Sequence, residues 1–340
     1  MKKKILFLVA GGSGGHILPA LQLGKEWKEK NLDGKIIFVS NNNNLEKKIL
    51  ENNNFLDKII YLNFKNIPGK KLWLYPVFLY FLILTFFKNF YYLNKFKPEE
   101  IISTGGYFAI PICILAKLFK TKINLYELNF MPGKAIKFLS RFANNIFIVF
   151  EQTRIFFKKQ SHKCLLCNYP IRFDLKDKIF DKNLILQKLK FSSDKKTIFL
   201  LGGSQGSVYL NNLLKDLILF DKNLINKIQF IHQTGDFDKT DWHSFYKNLN
   251  IPAVVFSYNQ NIKDYYLISD LVIARAGAGT LFELEFFQKK SLIIPLQTSY
   301  TDHQYDNAIN ISKRNNNLFI VKTEPEIKKD FNKFCNNLLN

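Results

Sequence analysis

Cysteine is scarce, with Cys113, Cys164, Cys167 and Cys335 the only four among 340 residues, which excludes a disulfide-stapled scaffold. Cys164 and Cys167 form a C-x-x-C with His162 just before them. A second ligand pair at usable spacing is missing, and no strand–helix–strand unit starts there. Zinc and thiol redox chemistry therefore give way to ordinary half-buried cysteines near a domain junction. No secretory leader is visible: Met1 to Lys4 runs straight into an apolar segment and then glycines, which points to a reducing, cytoplasmic setting. No apolar run reaches the roughly 20 residues that span a bilayer. The longest, LWLYPVFLYFLILTFF at 72–87, has 16 residues and an internal Pro76. Acidic residues are few, 28 against 49 Lys and Arg, leaving a formal charge of +21. Such an excess suits an anionic partner, whether nucleic acid, anionic lipid or a phosphorylated substrate. Yet no basic block of five or six stands out, and lysine and asparagine are spread along the whole chain, as a biased base composition also produces.

The dinucleotide fingerprint is missing as well. Gly12 and Gly14 would require glycine at Ile17, Gly277 and Gly279 would require it at Phe282, and the second strand, Lys35 to Ser40, runs into asparagines instead of Asp or Glu. A hydride-transfer enzyme is disfavoured. What is present is a repeated strand–loop signature. Thr197-Ile198-Phe199-Leu200-Leu201 reads as a buried strand, Gly202-Gly203-Ser204-Gln205-Gly206-Ser207 as a glycine turn, and Val208 to Phe220 as an amphipathic helix. This arrangement aims backbone N–H groups and the positive end of a helix dipole at a phosphate. KKILFLVAGGSGG at 3–15 echoes KKTIFLLGGSQG at 195–206, so two lobes each open on such a loop. The chain reads as α/β, with two Rossmann-like parallel-sheet lobes at 1–163 and 164–340 and a polar, broken hinge at about 158–174.

In the first lobe, strands at Lys2–Ala10, Glu100–Ser103, Ile123–Leu128 and Ile146–Phe150 alternate with helices, the first containing Pro19 in its opening turn. Ligands gather at the carboxyl ends of parallel strands. Those ends carry Gly11 to His16, Gly105 to Tyr107, and Glu127 to Asn129. In the second lobe, Ile268 to Ala274 leads into Arg275-Ala276-Gly277-Ala278-Gly279-Thr280-Leu281-Phe282-Glu283, a further strand–glycine–helix unit with a carboxylate one turn in. That carboxylate can accept both hydroxyls of a ribose or simply stabilise the helix N-terminus. Leu292–Pro295 is the last clear strand, with Asp302-His303-Gln304 in a polar loop beyond it. The 72–87 segment, flanked by lysines and aromatic on every side, reads either as a helix packed in the core or as one lying in a membrane interface, and its lack of a polar face favours partial membrane contact.

The motifs GGSGGH (11–16), TGGY (104–107), GGSQGS (202–207), RAGAGTLFE (275–283) and DHQYDNA (302–308), in that order, resemble those of the peptidoglycan N-acetylglucosaminyltransferases, the MurG group of glycosyltransferase family 28. The resemblance covers nearly the whole chain. It implies the GT-B fold and inverting transfer of N-acetylglucosamine from UDP-GlcNAc to lipid I, giving lipid II. It places Ser13, Gly14 and Gly15 near the diphosphates with Tyr107 beside them, and Asn129 on the donor sugar. Arg172 and Ser204 would contact the nucleotide, Asn259 the uracil through its backbone, Ala278, Gly279, Thr280, Leu281, Phe282 and Glu283 the diphosphate and ribose, and Gln304 with His303 the sugar hydroxyls. It also implies a peripheral location on the cytoplasmic face of the bacterial inner membrane. The implied partners are UDP-GlcNAc, lipid I, an anionic membrane surface and proteins of cell-wall synthesis and division, not nucleic acid. The chain departs from the group's pattern at Tyr126 and Leu128, at Ser13 where threonine is usual, at Phe108-Ala109-Ile110 where glycines are usual, and in a short C-terminus.

Such a transfer needs a base for the acceptor hydroxyl and stabilisation of the departing UDP. Glycine loops, helix dipoles and an arginine can supply the second, so neither metal nor cofactor is called for. His16 is the first candidate base, as an imidazole whose pKa is lowered at a helix N-terminus, or else an anchor for the acceptor diphosphate. Glu127 is the second, or a group that orients His16. Competing readings are another GT-B enzyme (a lipid galactosyltransferase or a UDP-GlcNAc epimerase) and a degenerate nucleotide-sugar-binding membrane scaffold. The two loops together read as one diphosphate site per substrate.

Overall fold

A computed structural model of the chain describes residues 3–51, 53–65, 68–69, 71–220, 225–297, 303–315 and 317–332. Asp302 and Cys335, singled out above, lie outside the described residues. The chain divides into two units, 1–172 and 173–340.

The first unit carries seven strands: β1 (Ile5–Val9), β2 (Lys35–Asn41), β3 (Lys58–Leu62), β4 (Glu100–Ser103), β5 (Lys122–Glu127), β6 (Asn145–Ile148) and β7 (Cys164–Leu166). They form one parallel sheet in the order β3-β2-β1-β4-β5-β6-β7. Helices α1 (Gly14–Lys30), α2 (Asn44–Leu50), α3 (Tyr75–Phe96), α4 (Ala109–Leu118) and α5 (Lys134–Leu139) connect them. Strands covered on both faces must be apolar at every position, and β1 meets that demand with Leu6, Phe7, Leu8 and Val9 all buried. Alternation sorts the faces: Phe7, Val9, Ile37, Val39, Ile123 and Leu125 share one core with Leu93 of α3 and Ile112 and Leu115 of α4.

The second unit has six strands: β8 (Lys196–Leu201), β9 (Ile228–Gln233), β10 (Ala253–Phe256), β11 (Leu271–Ala274), β12 (Ser291–Ile293) and β13 (Phe319–Val321). They are parallel in the order β10-β9-β8-β11-β12-β13. Its helices are α6 (Lys182–Leu189), α7 (Val208–Phe220), α8 (Trp242–Asn248), α9 (Lys263–Ile268), α10 (Ala278–Phe286), α11 (His303–Arg314) and α12 (Glu324–Lys329). Leu210, Leu213, Leu214, Leu217 and Ile218, at helical spacing on α7, pack on Ile198 and Leu200 of β8 and Phe230 of β9. In both sheets the order reverses beside the glycine-loop strand, between β1 and β4 and between β8 and β11. Loops leaving neighbouring strands in opposite directions open a crevice there.

Several expectations are corrected. The unit boundary lies at 172/173 instead of 163/164 because Cys164–Leu166 adds β7 to the first sheet. The expected hinge at about 158–174 holds the end of a 3-10 segment (Glu151–Lys163, kinked at Phe157) and then β7, and the unit boundary falls within it. An edge strand of three residues needs no alternation, and Leu165 and Leu166 stay exposed, so its pattern was hidden. Cys164 is buried and Cys167 half-buried, and burial pushes the Cys167 thiol up to about 11, consistent with inert thiols. Pro19 lies inside α1, which begins at Gly14, rather than in its opening turn. His303 and Gln304 open α11 instead of lying in a loop, and β13 follows β12.

The apolar segment is also longer than 16 residues. A short 3-10 turn at Leu72–Leu74 runs into α3, and Leu72–Phe96 is, by length and composition, long and apolar enough to cross a membrane. Its polarity is inverted. Thr85 and Asn89 are buried with Leu93, whereas Trp73 is 73 % and Phe87 65 % exposed. Phe78, Leu82, Tyr92 and Phe96 pack on the first unit's core.

In the second unit two loops meet at a contact only glycine permits. Gly206 and Gly235 have φ of +74° and +80°, and a Cβ on Gly206 would sit 2.4 Å from the Gly235 Cα. Gly206→Ala is expected to destabilise this unit by about 2–4 kcal/mol, from left-handed strain plus overpacking. A fall of several degrees in Tm checks it; an unchanged melt would mean the loops can part freely.

Candidate active site

In the first unit the site residues lie at the carboxyl ends of three adjacent strands. Ser13 caps α1 with extended backbone and no side-chain capping bond, so the first-turn N–H groups of Gly14 and Gly15 project from the positive helix end. His16, half-buried in that turn, accepts the Thr104 hydroxyl on its carbonyl at 2.8 Å. Its ring lies against Gly105, whose built Cβ would be 3.3 Å from His16 Cε1. Gly105 and Gly106 have φ of +114° and +97°, turning the chain so that Tyr107 is exposed. Phe108 fills the space beside Gly11 and Gly106 that the usual glycines would leave.

One strand over, Glu127 is buried at 2 % exposure. Its Oε1 accepts the Asn129 backbone N–H at 2.9 Å and side-chain amide at 3.2 Å, and Oε2 accepts the Gly133 N–H at 2.9 Å. Burial pushes the carboxyl up to about 7, against the pull of these hydrogen bonds. Glu127 thus clamps the β5–α5 loop and orients Asn129.

Sequence reasoning missed the support of the first loop. Glu46, fully buried, accepts the Gly12 N–H at 2.9 Å, the Asn41 N–H at 2.7 Å, the Asn43 amide at 2.5 Å and the Ser40 hydroxyl. A Cβ on Gly11 would lie 2.7 Å from this carboxylate. Asn43-x-x-Glu46 directly after β2 is a capping-type signal that could have flagged it.

In the second unit, Ser204 is half-buried in the loop after β8, where Gly203 accepts the Gln233 amide at 2.9 Å. Asn259, after β10, accepts the Asn261 N–H on its side-chain oxygen at 2.8 Å. Ala278 to Glu283 form the first turns of α10, whose N-cap Gly277 makes no side-chain capping bond. Glu283 is buried and accepts the Tyr266 hydroxyl at 2.8 Å. Gln304 accepts the Leu296 N–H at 3.0 Å, and His303 is half-buried beside it. Arg172 ends the first unit, in contrast to its expected place in the second.

Arg275, noted only as the start of a motif, is the hub of this unit's site. Its Nε and Nη2 donate to Ser207 Oγ at 3.1 and 2.9 Å, and Nη1 reaches the Ile294 and Pro295 carbonyls at 3.2 and 3.5 Å. Nη2 also pairs with Glu324 at 2.7 Å. Asp236-Phe237-Asp238 is an Asp-x-Asp just after β9 that sequence reading passed over. Asp238 accepts from Asn211 at 2.7 Å, Trp242 Nε1 at 3.0 Å and the Thr240 N–H at 2.9 Å. Asn211 in turn meets buried His232 at 3.0 Å, whose pKa burial lowers to about 3.

Two parallel α/β units, each with a glycine loop at its switch point, have the architecture of the GT-B class. Residues 6–148 match the N-terminal domain and 197–331 the C-terminal domain of glycosyltransferase family 28, to which the chain belongs. It is 32% identical over 342 residues to the UDP-N-acetylglucosamine–N-acetylmuramyl-(pentapeptide) pyrophosphoryl-undecaprenol N-acetylglucosamine transferase of Pelagibacter ubique, covering 99% of this chain and 89% of that one. The transferase of the same name from Thermodesulfovibrio yellowstonii is 30% identical over 336 residues, covering 97% and 90%. In fold, the chain is similar to the crystal structure of Acinetobacter baumannii MurG, with a TM-score of 0.70 at 20% identity over 99% and 91% of the two chains. It also resembles the S. aureus MnaA–UDP structure, with a TM-score of 0.66 at 11% identity over 100% and 88%.

Glu127 makes stability depend on pH. Its folded pKa, about 7, exceeds the ordinary 4.5, so the folded protein holds the extra proton between these values. The contribution is fully present below 4.5 and is lost as pH rises through 7, by up to about 1.4 kcal/mol per pH unit. The unfolding midpoint of the native protein, minus that of Glu127→Gln, should fall from pH 5 to 7.5 and then level. A difference independent of pH would return this carboxyl to the ordinary range.

Proposed function

We propose that the chain transfers N-acetylglucosamine from UDP-N-acetylglucosamine to lipid I (undecaprenyl-diphospho-N-acetylmuramoyl-pentapeptide), forming lipid II and UDP. The observation that carries this reading is near-full-length similarity to transferases of that name. The first unit takes the lipid-linked acceptor and the second the UDP-sugar.

In the reaction, the acceptor's sugar 4-hydroxyl oxygen bonds to the donor's anomeric carbon as the bond from that carbon to the UDP oxygen breaks, inverting configuration. His16 takes the hydroxyl proton. Its ring stands in the first turn of α1 beside Gly105. Both Glu127 oxygens already accept N–H groups, which suits a clamp better than a base. Asn129 is held by that clamp, and His303 and Gln304 of the second unit meet the donor sugar. Arg172 contacts the nucleotide. The Ser204 loop and the α10 N-terminus hold the UDP diphosphate, where backbone N–H groups stabilise the charge that develops as UDP leaves. Asn259 reads uracil through its backbone, and Glu283 receives the ribose. Ser13, Gly14, Gly15 and Tyr107 line the acceptor's diphosphate.

Purified protein given labelled UDP-N-acetylglucosamine and a short-chain lipid I analogue should form the disaccharide product. His16→Ala should lower kcat by 10²-fold or more, the usual worth of a general base, with UDP affinity unchanged. Donor binding without any turnover in the native protein would sink the transferase reading and favour a binding scaffold.

The enzyme works at the cytoplasmic face of the membrane as a peripheral protein. One side of α3 is committed to the first unit's core, so the helix lies along the interface with its aromatic face in the lipid and its lysines at the headgroups. Trp73→Ser with Phe87→Ser should weaken binding to anionic vesicles at least tenfold. Equal partitioning in a sedimentation assay would remove α3 from the interface.

A further inference from the structure

We infer that Tyr266 is a positioning residue for the nucleotide, its hydroxyl fixing the Glu283 carboxylate in the orientation that receives the ribose hydroxyls. This rests on the reading that Glu283 meets the ribose of UDP. Tyr266, near the end of α9, is fully buried, yet its hydroxyl reaches Glu283 Oε2 at 2.8 Å on α10. Its ring is held on several sides: it stacks on Phe287 with centroids 5.2 Å apart, and meets Phe199 and Phe173 edge-on at 5.6 and 6.2 Å. A ring so enclosed has one rotamer, and the hydroxyl it carries is a fixed point.

The hydroxyl stands out against its surroundings. Three neighbouring rings are Phe, and phenylalanine would fill the same space in a chain with 34 Phe against 15 Tyr. The oxygen is put to use on Glu283, which lies six residues into α10 and is itself buried. A glutamate has three side-chain torsions, and a buried carboxylate needs donors. Tyr266 answers both needs with one charge-assisted hydrogen bond. A carboxylate has about four acceptor positions, so a Tyr hydroxyl and a ribose diol can share it. The contact also joins β8, which bears Phe199 and leads into the Ser204 loop, to the helix that begins at Ala278. Ribose and diphosphate groups are thereby held in one register.

Titrating UDP and 2′-deoxy-UDP into the full-length protein, Tyr266→Phe, Glu283→Gln and the double variant tests this. The native protein should prefer UDP by about tenfold, the worth of one hydrogen bond to a charged group. Tyr266→Phe should lose most of that preference while binding 2′-deoxy-UDP within about twofold of the native protein, and adding it to Glu283→Gln should change neither affinity further. Phe173→Leu, which removes one edge contact while Phe287 and Phe199 still hold the ring and the hydroxyl is kept, should lower Tm and preserve the ratio. Tyr266→Phe with the native ratio overturns the inference and leaves the ribose reading standing. A native protein that does not discriminate overturns both. A measurement independent of that variant's folding uses native-sequence protein labelled with 3-fluorotyrosine. One fluorine resonance should move with UDP, move much less with 2′-deoxy-UDP, and be displaced by Glu283→Gln without nucleotide. Finding no such resonance also overturns the inference.

Discussion

Arg275 joins three segments of the second unit through one guanidinium: Ser207 at the end of the glycine loop, the Ile294 and Pro295 carbonyls after β12, and Glu324 in the first turn of α12. Five N–H donors in a rigid fork meet five acceptor contacts, so the group is satisfied where it is and acts on the site by holding backbone. A buried ion pair adds little net stability, but losing one partner strands a charge. That asymmetry gives the loop a defined position. The Gly206–Gly235 contact adds a steric limit from the other side.

The first unit solves the same problem with the opposite charge. Glu46 sits behind Gly11 and Gly12, and its four partners are neutral donors. Two loops that look alike as strings of residues are therefore different electrostatically. A carboxylate already accepts the Gly12 N–H, so a diphosphate at this loop is left with the groups from Ser13 onward. The second loop has a guanidinium, neutralised by Glu324, behind Ser207. The repeated motif therefore has two different braces behind it, a carboxylate in the first unit and a guanidinium ion pair in the second.

Much of the fold was legible because parallel strands announce themselves as continuous apolar runs ending in glycine. β1, β4, β8 and β11 were located within a few residues for that reason. Short edge strands were not: β7 and β13 have three residues each and bury only one end, so no period marks them. α3 was underestimated because Lys88 looked like a boundary, whereas its lysine projects from a helix that continues to Phe96. The inverted helix illustrates a general limit. Burial is decided by the partner surface, and residues as apolar as Trp73 stand outside while Asn89 stands within.

By itself the sequence determined the α/β class, the repeated glycine-loop units and the family's ordered motifs, since each depends on residue type at short spacing. Only the tertiary structure decided which groups hold those residues in place. Glu46 reaches a loop 34 positions earlier, Tyr266 reaches Glu283 across 17, and Arg275 reaches Ser207 across 68. No local pattern encodes such pairs, because the sheet order that brings β8 beside β11 is set by the packing of the whole unit.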